Sequence, residues 1–314
     1  MTRGTYTYIF GPVLSRRLGK SLGIDIIPFK TCTYDCIYCE QGRTTNRTSE
    51  RKEYVPVEEV LTELSQFLAK GILPDFITVS GAGEPTLNSG LGDIVRGIKA
   101  LTPFPVAVIT NGSLLWDVRV QQDLLAADVV MPSLDAGSEA LFRQLDRPVN
   151  DIPFEKMVRG LIDFRNAFPN EIWLEIMLVD GITSSEDHVR AIAEWVRQIR
   201  PDRIQINTVV RPPAETFARP IDRERLETLA ALFGPDAEII ANYSGTSFAP
   251  EDTPDAERIV ELLKRRPCSL REIAEALGLR QIETAKTVQL LVEQERIVEK
   301  HFGDQWFFAC PGEE

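Results

Sequence analysis

Phe29-Lys30-Thr31-Cys32-Thr33-Tyr34-Asp35-Cys36-Ile37-Tyr38-Cys39 gathers three of the chain's five cysteines within eight residues, spaced C-x3-C-x2-C. A loop of that span can wrap one corner of an iron–sulfur cubane and give one thiolate to each of three irons. A [4Fe–4S] cluster has four irons and is commonly held by four cysteines. With no fourth cysteine nearby, Cys32, Cys36 and Cys39 would leave one iron open. An open position marks a reactive centre, by the logic that separates catalytic from structural zinc. Zinc and plain buried thiols are the competing readings. Zinc would want a fourth Cys or His, and neither His188 nor His301 is close in sequence.

Outward from this loop the chain alternates. Ile24–Phe29 reads as a strand entering it. Val57–Lys70 carries apolar residues at helical spacing, and Phe76–Ser80 is a strand. The pattern repeats with helix Leu91–Leu101, strand Val106–Thr110, helix Val118–Ala126 and strand Asp128–Leu134. Helices near Ser138–Leu145 and Phe154–Phe168 precede strand Ile172–Val179, helix Ser185–Ile199 and strand Arg203–Val210. Apolar strands alternating with amphipathic helices predict a parallel sheet covered by helices. Such folds place their chemistry at the C-terminal strand ends. Here those ends carry the cysteine loop, Ser80-Gly81-Ala82-Gly83-Glu84, Thr110-Asn111-Gly112, Ser133-Leu134-Asp135, Glu175 with Met177, and Asn207 to Pro213.

With Tyr38 in its aromatic slot, C-x3-C-x-aromatic-C resembles the signature of the radical S-adenosylmethionine (SAM) superfamily. The resemblance implies a partial (β/α)6 barrel, which spacing alone does not distinguish from an open sheet. It also implies a [4Fe–4S] cluster on Cys32, Cys36 and Cys39 whose open iron is chelated by SAM. Reductive cleavage would then yield a 5′-deoxyadenosyl radical that takes hydrogen from substrate. A low-potential donor of flavodoxin or ferredoxin type would supply the electron. Gly81, Gly83 and Glu84 resemble the family's GGE-type SAM-binding turn. Tyr38, Asn111, Ser133, Asp135, Glu175 and Asn207 match further SAM-facing positions. Over roughly residues 9–245 the chain is similar to a poorly characterised group related to wyosine-synthesis, cofactor-assembly (NifB-like) and radical-activating enzymes. A second cluster's cysteines are missing, since Cys268 and Cys310 are a pair at most and read as structural thiols.

The lead-in Ile9–Gly23 is glycine-rich and cationic, and reads as a solvated loop or as an anion-binding segment. Arg16 and Arg17, with Arg211 after the sixth strand, would clamp an anionic substrate through paired guanidinium donors. No residue is assigned a catalytic role. Beyond the barrel, Arg223–Phe233 reads as a helix and Glu238–Ala241 as a short strand. The expected domains are a core over 1–243, a linker over 244–254, and a winged-helix-like unit over 255–314. That unit is built from helices Ala256–Arg266, Leu270–Leu277 and Ile282–Glu295 and a hairpin around Gly303-Asp304. A winged helix suggests DNA binding, but residues 251–314 hold 9 Lys/Arg against 14 Asp/Glu. That balance, and the whole chain's net charge of −12, oppose phosphate contacts. A protein or peptide partner for this unit is the better expectation.

At 314 residues, 43% hydrophobic and 26% charged, the chain has an ordinary globular composition. No apolar run approaches the roughly 20 residues a membrane span needs. Clustered cysteines without a disulfide framework suit a reducing compartment, and the chain reads as cytoplasmic. Two further functional readings stand beside direct substrate modification. One is an activase that makes a glycyl radical on a partner enzyme. The other is an iron–sulfur transcription regulator, which leaves the SAM-site series unexplained.

Overall fold

Twelve strands and ten helices are named here in chain order. The strands are β1 (Ile9–Ser15), β2 (Gly19–Asp25), β3 (Thr31–Cys32), β4 (Asn46–Arg47), β5 (Phe76–Ser80), β6 (Val106–Ile109), β7 (Val129–Met131), β8 (Glu171–Leu178), β9 (Arg203–Thr208), β10 (Ala237–Ile239), β11 (Val298–Phe302) and β12 (Gln305–Ala309). The helices are α1 (Val57–Leu68), α2 (Leu91–Leu101), α3 (Val118–Leu124), α4 (Glu139–Leu145), α5 (Phe154–Ala167), α6 (Glu186–Ile199), α7 (Arg223–Ala230), α8 (Ala256–Arg265), α9 (Leu270–Leu277) and α10 (Gln281–Glu293). The structure, a computed structural model, describes residues 6–15, 17–241, 256–279, 281–303 and 305–311. The expected linker 244–254, with Arg16, Tyr243 and Asp304, lies outside the described residues.

One eight-stranded sheet runs in the order β1-β2-β5-β6-β7-β8-β9-β10. Every neighbouring pair is parallel except β1–β2, which is antiparallel. Side chains sort by parity along the strands. Val106, Val108, Val130, Ile172, Leu174 and Ile176 join the main core. The outer helices cover it: α2 presents Leu91, Ile94, Val95 and Ile98, all buried, at one-face spacing. Their alternates Ala107, Val129, Met131 and Trp173 form a separate cluster with Leu18. The parallel α/β fold and its six β/α units match the expectation from sequence, and β10 adds a seventh parallel strand.

The lead-in differs from its expected form. β1 and β2 pair as a β-hairpin where a solvated loop was one reading, and the strand entering the cysteine loop ends at Asp25 instead of Phe29. A glycine at residue 23 is required by packing: a Cβ there would lie 2.0 Å from Cζ of Phe10 on the facing strand. Strand glycines serve this kind of close approach, and in the bare sequence they resemble loop.

Past β10 the described chain resumes with α8, α9, α10 and the β11–β12 hairpin. They share their own core of Ile259, Leu263, Cys268, Ile273, Leu277, Val288, Leu291 and Ile297. Ser269 caps α9 through a full capping box with Glu272, and Gly278 ends it at φ 66°. Val13 of β1 packs against this second core. The unit therefore sits on the hairpin edge of the sheet, and below it is called the cap.

Candidate active site

The cysteine loop is tied at both flanks by backbone hydrogen bonds. Cys32 belongs to β3, which pairs with β4, and its carbonyl accepts from Thr48 N at 2.9 Å. Asp35 N and Ile37 N donate to the carbonyls of Asp146 and Leu145 at 3.0 and 2.9 Å, and Glu215 N donates to Ile37 O at 2.9 Å. Asn111 Nδ2 reaches Thr33 Oγ1 at 2.8 Å and Cys32 Sγ at 3.5 Å. Burial pushes the Cys32 thiol up to about 12 and Cys39 to about 11, and raises Cys36 well above its ordinary value. Thiolates here need a nearby positive charge to offset desolvation.

The Gly81–Glu84 turn is fused to the start of this loop. Lys30 N donates to Ala82 O at 2.7 Å, and Glu84 N to Thr31 O at 3.0 Å. A Cβ on residue 83 would lie 2.0 Å from the Thr31 carbonyl oxygen, and one on residue 81 would lie 2.2 Å from the Asp25 carboxylate. The Glu84 side chain is buried and turned into the protein. Its carboxylate accepts from Thr86 N and Oγ1, Thr110 Oγ1 and Asn111 N at 2.6–3.0 Å. Burial raises the Glu84 carboxyl, and these hydrogen bonds oppose the rise. Glu84 thus fixes the end of β6, where Asn111 begins.

At the next strand ends, Tyr38 OH donates to Asp135 and lies 3.2 Å from Asp146 Oδ1. Met177 N donates to Asp135 at 2.7 Å. Burial pushes the Asp135 carboxyl up to about 7. Ser133 bridges Glu175 between adjacent strands. Glu175 accepts from Asn207 Nδ2 at 2.9 Å and is paired with Arg17. Arg211 is 3% exposed and binds Glu40 at 2.8 Å and Glu272 of the cap at 2.6 Å.

These groups surround one cavity of about 420 Å³, a volume in the range of cofactor and substrate pockets. Cys36, Tyr38, Cys39, Gly81, Glu175, Asn207, Arg17 and Arg211 all line it. Cys32, Gly83, Glu84, Asn111, Ser133 and Asp135 are not among the lining residues. Cys268 and Cys310 lie in the cap away from it, with Cys268 N and O paired to Phe308. His188 in α6 and His301 in β11 are also absent from the lining.

Sequence reading missed the roof. Leu262, Arg265, Arg266, Glu272 and Ala276 of the cap line the same cavity. Arg265 is paired with Asp25 beside the Gly81 turn and lies over the Phe10 ring, 4.6 Å from its centroid. The available signal was the Arg265-Arg266 doublet, which repeats the Arg16-Arg17 doublet but closes an amphipathic helix.

Comparison with known proteins adds the following. Residues 26–196 match the Radical SAM superfamily. The chain is 38% identical over 295 residues to a protein named GTPase Obg of Brachyspira hyodysenteriae, covering 93% of this chain and 43% of that relative. It therefore spans less than half of that relative's length. It is 31% identical to a UPF0026 protein of Methanocaldococcus jannaschii, covering 96% of this chain and 95% of the relative. Among solved structures, a radical SAM methyltransferase from Sphaerobacter thermophilus superposes with a TM-score of 0.55 at 16% identity, over 70% of this chain and 65% of that one. At that identity the likeness is one of fold.

Proposed function

The chain belongs to the radical SAM superfamily and to its UPF0026 proteins, and from that premise we propose that it carries a [4Fe–4S] cluster on Cys32, Cys36 and Cys39, binds SAM at the strand ends, and performs radical chemistry on an anionic substrate. The observation that supports this most is the shared cavity. Cys36, Tyr38 and Cys39 face the same space as Gly81, Glu175, Met177 and Asn207.

The residues fit the group. Three thiols on one short loop are a soft donor set, and their loop is immobilised on both sides. Their raised thiol values are what clustered iron, a concentrated positive charge, would reverse. When bound, the cluster and SAM together supply a carbon radical that abstracts hydrogen from substrate. The electron would come from a donor of flavodoxin or ferredoxin type.

The remaining roles belong to this chain's own groups. Asn111 orients Thr33 and the Cys32 sulfur, and Glu84 holds Asn111 in place. The Tyr38–Asp135–Asp146 chain locks the aromatic residue between two cysteines. Gly81, Glu175 and Asn207 present backbone and side-chain polar groups for SAM. Arg17 and Arg211, already paired with Glu175 and with Glu40 and Glu272, line the cavity on the side left for substrate. The cap covers part of it and would limit the water that reaches a reactive radical.

The test is anaerobic reconstitution with iron and sulfide, followed by dithionite and SAM. A cluster spectrum that shifts on adding SAM, and release of methionine with 5′-deoxyadenosine, are the expected results. A reconstituted protein that holds iron yet leaves SAM intact would refute the assignment.

A further inference from the structure

On the cap side of the cavity, some guanidinium N–H donors are left without an acceptor. Four described arginines line this cavity. Arg17 is paired with Glu175, Arg211 with Glu40 and Glu272, and Arg265 with Asp25. Arg266, half-buried at the junction of α8 and α9, lines the cavity and makes no ion pair with any described carboxylate. Two of the paired guanidiniums are also incomplete. Nε of Arg211 and Nε of Arg265 are buried and have no hydrogen-bond partner. Native interiors leave few buried N–H groups unpaired, so two on one cavity wall call for an acceptor.

The acceptor has to match that chemistry. A single neutral carbonyl would satisfy one N–H and leave Arg266 without an ion pair. A carboxylate or phosphate offers several lone pairs and a negative charge, and guanidinium donors bind either with matched geometry. Glu272 does not fill this role. One of its oxygens takes the capping-box hydrogen bond from Ser269 N at 2.9 Å, and the other takes Arg211. The capping box thereby holds Glu272 in place, and it in turn steadies Arg211 against the cavity.

We propose that the cap is a wall of the substrate site, and that the carboxylate or phosphate of the substrate binds at Arg266, with the neighbouring guanidiniums of Arg211 and Arg265 adding N–H donors to it. This rests on the radical SAM reading above and adds where the anion sits and which residues outside the barrel hold it. Specificity for the anionic end of the substrate would then be set by residues from α8 and α9, while the hydrogen to be removed faces the strand ends.

The experiment uses the full reconstituted protein saturated with SAM. Inorganic phosphate and, separately, succinate are titrated by calorimetry at fixed ionic strength. One of the two should bind, and which one does identifies the headgroup. Arg266→Gln should weaken that binding roughly tenfold or more, as expected for losing a hydrogen bond to a charged group. Arg266→Lys should recover part of the loss, because it restores charge without the fork. Iron content and SAM binding are measured on each variant, so a failed cofactor site is told apart from a failed anion site. The proposal is overturned if neither anion binds, if Arg266→Gln binds as tightly as the parent, or if the anion competes with SAM, which would make the site that of SAM's own carboxylate.

Discussion

On the barrel side of the cavity, the buried carboxylate of Glu84 accepts from four donors supplied by Thr86, Thr110 and Asn111. On the cap side, Arg211 and Arg265 each keep a buried Nε without an acceptor, although both are ion-paired. At Glu84 the first wall is complete as the polypeptide makes it. The second is built of ion pairs that leave guanidinium N–H groups unmet. A wall finished by the chain itself suits a cofactor used in every cycle. A wall short of acceptors suits a ligand that comes and goes, since unmet donors in a preformed site give their binding energy to whatever supplies the acceptor.

The contrast can be broken at several points. The largest effect is expected at the thiols. Cys32→Ala/Cys36→Ala/Cys39→Ala should lose the cluster altogether, while Cys268→Ala/Cys310→Ala should keep it, as read by iron and sulfide content. A triple variant with full cluster content would remove the barrel wall's assigned role. Next is Arg211→Met, which strands Glu40 and Glu272 beside each other. Removing one partner of a buried ion pair costs about 3–5 kcal/mol, and urea unfolding should show a loss of that order. A loss near zero would mean that water already reaches the pair. Glu84→Gln offers one acceptor oxygen where four donors converge and should cost about 2–3 kcal/mol, with Asn111 released from the Cys32 loop. Unchanged stability would show that Glu84 is not the brace described here.

The smallest effect is in the acid response of Glu272. Burial opposes its ionisation, but the charge of Arg211 and the Ser269 hydrogen bond together hold it below the usual glutamate range. Its folded value is therefore the lower one, and the stability it contributes is present above the unfolded value and lost as pH falls through the folded one. Thermal melts should show wild type ahead of Glu272→Gln at neutral pH and level with it in acid. Gln preserves the capping box, so the difference isolates the charge links to Arg211 and Arg266. Parallel pH curves would mean that these links contribute nothing.

The barrel wall was legible because its signals are local. A cysteine triplet, a Gly-rich turn and Asn-Gly each occupy a few consecutive residues, and parallel topology dictates that strand ends converge. The orientation of Glu84 was less legible. A carboxylate after Gly-x-Gly reads as ligand-facing, whereas Thr86 and Thr110 turn it inward. The β1–β2 hairpin was hidden because Gly11, Gly19 and Gly23 resemble a loop until Phe10 is seen lying over Gly23. The cap's position was not legible at all. It depends on Arg265 meeting Asp25 across 240 residues and Arg211 meeting Glu272 across 61, and no local pattern encodes such meetings. The same separation explains why Arg211 read as an open clamp when its charge is already shared between two glutamates.

Because residues 256–309 follow the barrel in the chain, the roof is synthesised after the room it covers. Translation adds about 5–20 residues per second, so the cysteine loop and the Gly81 turn leave the ribosome on the order of ten seconds or more before α8 and α9 do, and the last strands only a few seconds or less before them. In that interval the three thiols face an open bay. Iron and sulfide delivery would meet no roof during synthesis, whereas in the finished protein α8 and α9 narrow the way in. A protein that has lost its cluster to oxygen would then be slower to reload than a nascent chain is to load.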